Sequence, residues 1–144
     1  MKYFLIAGEA SGDLHGANLM KQIKKQDSEA VFRFIGGDLM QKQGDKPLKH
    51  YKEMAFMGIW EVLLNIRTIS KNMKTCQKEI LRFKPDAIIL IDYAGFNLRI
   101  AKFAKQFGYK VFYYISPKVW AWKKSRVKKI KRYVDKMFVI LSFE

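Results

Sequence analysis

DAIILIDYAGFN, residues 86–97, holds a short apolar run, 87–91, that stops at a carboxylate, Asp92, and a glycine-containing turn. A run of Ile and Leu without polar alternation is apolar on both faces, as in the central strand of a parallel sheet covered by helices on each side. Open sheets of this kind bind ligands outside the carboxyl ends of their strands, so Asp92 falls where such proteins put their chemistry. Capping of a helix that begins near Asn97 competes for the same carboxylate, and position alone leaves both readings open.

Outward from this strand, the chain alternates. Residues 3–7 (YFLIA) read as a first strand, broken by the loop Gly8, Glu9, Ala10, Ser11, Gly12 and Asp13 and followed by a helix whose apolar face uses Leu14, Ala17 and Ile23. Glycines at 8, 12 and 16 fit neither the dinucleotide spacing nor the P-loop, whose lysine is missing. Ser11 and the backbone N–H groups at that helix start can hold an anion or a sugar hydroxyl; capping by Ser11 or Asp13 is the alternative. Residues 31–35 form a second strand, Asp38 reads as the cap of a short helix stopping at Gly44, and a brief strand is expected around His50. His15 and His50 show no ligand pattern. From Gly58 a helical period runs to about Phe83 through Ile59, Val62, Leu63, Ile66, Ile69, Met73, Cys76, Ile80 and Leu81. Its first part, with Phe56, Met57 and Trp60, carries more apolar surface than one helix face buries. Either the helix is covered on two sides or some of that surface meets lipid or a partner. After the central strand come a helix from Asn97 to Phe107 closed by Gly108 and a strand over 110–115. A loop containing Ser116, Trp120 and Trp122 follows, then a basic helix with Val127, Ile130 and Val134 on its apolar face, and a last strand over 137–141.

With 144 residues, 49% of them hydrophobic, and no linker or repeat, the chain is expected to form one doubly wound, mostly parallel Rossmann-like α/β domain of six or seven strands. In the order 3-2-1-4-5-6 the Gly8–Asp13 loop and the turn after Asp92 face each other across one crevice. A net charge of +15 calls for an anionic partner: nucleic acid, a phospholipid surface or a phosphorylated substrate. Lys123, Lys124, Arg126, Lys128, Lys129, Lys131 and Arg132 crowd into ten residues with no acid among them, a density that favours a polyanionic surface over simple solubility. The known RNA modules are absent, so nucleic acid is not expected, although a basic RNA-binding domain is the rival from another class. One cysteine, Cys76, allows no internal disulfide, and no Cys/His pattern points to zinc. No signal peptide and no apolar run of about 18 residues is read, so a cytoplasmic place, at most on a membrane surface, is expected.

Four stretches, AGEASGD (7–13), MGIWEVL (57–63), KPDAIILID with FN after it (84–92, 96–97) and YISPKVWAWKKSRVKKI (114–130), together resemble the N-terminal half of the lipid-A-disaccharide synthase family. The resemblance implies the acceptor-side domain of a GT-B glycosyltransferase working without metal or cofactor at the cytoplasmic face of the Gram-negative inner membrane. It would join UDP-2,3-diacylglucosamine to 2,3-diacylglucosamine 1-phosphate, with inversion, giving a β-1,6-linked disaccharide 1-phosphate and UDP. By the same resemblance Asp92 is the base that deprotonates the acceptor 6-hydroxyl. Gly8, Glu9, Ser11, Gly12, Asp13, Asn97, Ser116 and Trp120 would then contact substrate. Phe56, Met57, Ile59, Trp60, Leu63 and Trp122, with Lys123, Lys124, Lys128 and Lys129, would meet the anionic membrane. The sequence departs from the family at Gly95, where a second acid is common, and at Ala94, where proline is; Asp92 is thereby expected to act alone. Family members are more than twice as long, so a C-terminal UDP-binding half, whether lost or on a separate chain, is the expected partner of these residues. Without it they are expected to fold but not to turn over. Another UDP-sugar enzyme of the same architecture is the rival within the class.

Overall fold

The computed structural model describes residues 1–54, 63, 65–114 and 124–138. Six parallel strands, β1 (Lys2–Ala7), β2 (Val31–Gly36), β3 (Lys49–His50), β4 (Ala87–Ile91), β5 (Lys110–Tyr114) and β6 (Lys136–Phe138), lie in the order β3-β2-β1-β4-β5-β6. The helices are α1 (Ala10–Gln26), α2 (Asp38–Gln41), α3 (Ile66–Phe83), α4 (Ala94–Gln106) and α5 (Lys124–Tyr133). β1 and β4 are the central pair, with Ala7 opposite Ile91, and every residue of β4 is buried, as its unbroken apolar run requires.

Because side chains alternate along a strand, the two sheet faces carry separate cores. Phe4, Ile6, Ile88, Leu90, Val111 and Tyr113 pack against α3, α4 and α5 through Ile80, Ala101 and Ile130. On the other face Leu5, Ala7, Phe34, Ile89 and Ile91 pack against Ala17 and Met20 of α1 and Met40 of α2. Among the described residues that second layer stops short of the β5 edge. There Phe112 and Tyr114 are only half-buried and, with Tyr3, Ile89 and Phe138, line an apolar hollow of about 280 Å³.

Several expected boundaries and faces differ. Leu14 is exposed; α1 instead turns Gly12, Asp13, Gly16, Ala17 and Met20 inward, because its two glycines let the helix approach the strand ends closely. The described helix α3 begins at Ile66 with Asn65 at its N-cap, so it is not one continuous helix from Gly58. Ile66 and Leu81 are exposed on it, while Asn72 and Glu79 are buried beside Cys76 and Ile80. The burial of Glu79 is explained by Arg33 of β2, whose Nε lies 2.9 Å from the carboxylate, with Arg82 at 3.1 Å. On α5, Ile130 is buried as expected but Val127 is exposed. Helix α4 starts three residues before Asn97, and Gly108 follows it at φ 78°, the left-handed conformation that closes a helix. Among the described residues no helix is long and apolar enough to cross a membrane.

Candidate functional site

The carboxyl ends of β1 and β4 deliver Gly8–Glu9 and Asp92–Tyr93 side by side, as the Ala7–Ile91 register dictates. Asp92 and Tyr93 both take left-handed backbone angles, φ 46° and 47°, which side-chain-bearing residues rarely adopt. Such a conformation costs about 1–3 kcal/mol per residue and persists only where its surroundings hold it. Four hydrogen bonds and a ring stack hold it here. The Tyr113 hydroxyl donates to the Asp92 carbonyl, and the buried Asn97 amide donates to the same carbonyl at 2.8 Å and to that of Ile91 at 3.3 Å. The Tyr93 hydroxyl donates to the Met54 carbonyl at 2.8 Å, and its ring stacks on Phe96 with centroids 5.8 Å apart. The same ring covers Gly8, where a Cβ would overlap its atoms; glycine is the residue that fits.

This geometry bears on the capping reading of Asp92. Helix α4 has Tyr93, not Asp92, at its N-cap and carries no side-chain cap bond, so the Asp92 carboxylate is not spent on capping. It meets Glu9 instead. Burial, then the negative charge of Asp92 and a hydrogen bond between the two carboxyl groups, raise the pKa of Glu9 above its ordinary 4.5. Two carboxyls in contact are disfavoured as two anions. The same Glu9 charge, after burial, raises the Tyr93 phenol.

Asp13 is placed differently from either expectation. Only 3% exposed, it accepts hydrogen bonds from the backbone N–H groups of Gly37 at 2.7 Å, Met40 at 3.1 Å and Leu39 at 3.0 Å. It therefore caps α2, the helix after β2, rather than its own helix, matching a carboxylate to the positive end of the helix dipole. Asp38, expected to be that cap, is the first residue of α2 and points to His50, 3.1 Å from its Nε2. Ser11 is exposed on the first turn of α1, a helix with no side-chain cap bond of its own. Gly12 packs so near Ala7 that a Cβ would lie 3.2 Å from the alanine's.

Gly8, Glu9, Asp92 and Asn97 are thus brought together, with Ser11 and Gly12 on the adjoining turn. Ser116 and Trp120, named as substrate contacts, lie outside the described residues, as do Phe56, Met57, Ile59 and Trp60 and, from the basic stretch, Trp122 and Lys123. Of the remaining membrane-facing expectations, Leu63 is 56% exposed, Lys128 and Lys129 are exposed, and Lys124 opens α5. Sequence reasoning missed the pairing of Glu9 with Asp92 and the supporting tyrosines at 93 and 113. The signal for the pairing was present, since Glu9 stands two residues past the end of the strand that neighbours β4.

The family model described as lipid-A-disaccharide synthetase matches residues 3–144. The lipid-A-disaccharide synthase of Trichlorobacter lovleyi is 48% identical over 143 residues, 99% of this chain; that of Coxiella burnetii is 43% identical over 140 residues, 97% of it. The chain spans 37% of the length of each of these relatives. Among solved structures, a putative UDP-N-acetylglucosamine 2-epimerase from Listeria monocytogenes aligns with a TM-score of 0.68 at 12% identity, covering 96% of this chain and 38% of that one. The E. coli heptosyltransferase WaaC with ADP-2-deoxy-2-fluoro heptose gives 0.58 at 10% identity, covering 100% of this chain and 44% of that one. At those identities the likeness is one of fold.

Proposed function

Because this chain belongs to the lipid-A-disaccharide synthetase family, we propose that its crevice presents the acceptor of a sugar transfer and that Asp92 is the general base. The donor is UDP-2,3-diacylglucosamine and the acceptor 2,3-diacylglucosamine 1-phosphate. The acceptor 6-hydroxyl loses its proton to the Asp92 carboxylate as its oxygen bonds to the donor's anomeric carbon. The bond from that carbon to UDP breaks in the same step, and UDP leaves with the electron pair, giving inversion. Glu9 is the member of the pair whose proton affinity is raised, by burial first and then by the Asp92 charge. Asn97 and Tyr113 act through Asp92 as positioning residues, fixing its strained backbone. Ser11, on the uncapped first turn of α1, is placed to meet a substrate hydroxyl or phosphate oxygen.

The observation that carries this reading is the meeting of Glu9 and Asp92 at the carboxyl ends of the two central strands. A well-placed base contributes roughly 10²–10⁴-fold to rate. In an active enzyme that contains this chain, Asp92→Asn should lower kcat by about that factor while acceptor binding changes little, since the amide keeps the shape and one acceptor oxygen. A folded Asp92→Asn enzyme retaining more than about a tenth of the rate would remove Asp92 from this role. We also place the domain peripherally on the inner membrane, its cations toward the anionic surface; Lys128 exposed on α5 and Leu63 exposed beside the apolar 55–64 stretch support that placement.

A further inference from the structure

Helices α4 and α5 flank a groove of about 510 Å³ that starts at Ala94 and Gly95, directly after the Asp92–Tyr93 turn. Arg99 and Lys102 enter it from α4 and Lys129 from α5, over a floor that includes the buried Leu98; Ser125 and Tyr133 complete the α5 wall. No carboxylate lines this groove, and among the described residues none of the three cations has an ion-pair partner. Three like charges converging from two helices repel one another unless an anion lies between them. Gly95, exposed, leaves the mouth of the groove open beside Asp92, and a Cβ there would meet nothing within 4 Å. The volume is that of a small-molecule site rather than of a single ion.

We infer that this groove is a phosphomonoester subsite in which Arg99, Lys102 and Lys129 hold a phosphate dianion. Its guanidinium and ammonium groups give charge-assisted hydrogen bonds to phosphate oxygens, and the open volume takes the body that carries the phosphate. The bearer is the phosphorylated acceptor whose hydroxyl meets Asp92, and for that identity alone the inference rests on the function proposed above.

Calorimetric titration of the chain with glucosamine 1-phosphate, glucosamine and inorganic phosphate at fixed low ionic strength tests it. Both phosphates are expected to bind and glucosamine not to. The double variant Lys102→Gln/Lys129→Gln removes two exposed cations and should weaken both phosphates at least about tenfold. Vesicles containing phosphatidate separate the sources. If only vesicle binding falls in the double variant, the phosphate subsite stands with a lipid headgroup as its bearer. Equal affinity of wild type and double variant for every phosphate probe overturns the inference. Asp92→Asn should leave the glucosamine 1-phosphate affinity unchanged, so the groove and the carboxylate pair fail separately.

Discussion

Glu9 and Asp92 stand about eighty residues apart in sequence, yet their carboxyl groups meet. A raised carboxyl pKa means that the folded chain binds a proton the unfolded chain has lost. Its contribution to stability is therefore full below the ordinary glutamate value of 4.5 and disappears as pH rises through the higher folded value. A side-chain carboxyl titration followed by NMR should find Glu9 displaced upward. In Asp92→Asn it should move part of the way back, because burial, the largest cause, remains after the neighbouring charge is gone. A Glu9 that titrates identically in both proteins would show that the carboxyls do not interact. Gly8→Ala forces a methyl group into the Tyr93 ring, and overpacking of this kind costs about 1–3 kcal/mol. A urea midpoint equal to the wild type's would contradict the contact. Asp92 was legible from sequence because an apolar run that stops at an acid is a local pattern. The requirement for glycine at position 8 was not, since it comes from a ring 85 positions along the chain.

Helix α2 is only four residues long, and its N-terminus rests on a carboxylate from α1. Asp13→Ala leaves three backbone N–H groups at that end without their acceptor and should cost about 2–4 kcal/mol in chemical unfolding. Loss of the order of a surface substitution, below about 0.5 kcal/mol, would mean that α2 does not depend on it. Strands were the elements most legible in the sequence. β1 and β4 are largely buried runs of Ile, Leu and Phe, β5 alternates buried and half-buried residues, and the strand order follows from their alternation with helices. Helix faces were less so. Periodicity assigned Ile66 and Leu81 to the core of α3, whereas Asn72 and Glu79 occupy it, and the partner that makes a buried glutamate acceptable, Arg33, belongs to a strand 46 residues earlier.

At the scale of the whole molecule the dominant quantity is a net charge of +15, with the cations of α5 on one flank of the sheet. Each cation near an anionic surface contributes about 1 kcal/mol at low salt, so sedimentation with anionic vesicles should be salt-sensitive and should fall when Lys124 and Lys128 are changed to Glu. Sedimentation unchanged in that variant would reject the electrostatic part of membrane binding. Charge was legible from composition alone; which face it occupies depended on how α5 packs against the sheet through Ile130. The strand order carries a consequence for how the molecule is made. β1 is made before the other five strands, yet it becomes the middle of the sheet, and only one of its edges can be paired by β2 soon afterwards. The other edge waits for β4, more than eighty residues later, and through that interval a strand of Phe, Leu and Ile stands unpaired on one side. The closure that ends this exposure is also the one that carries Asp92 to Glu9. The nascent chain thus acquires its carboxylate pair when β1 gains its second partner.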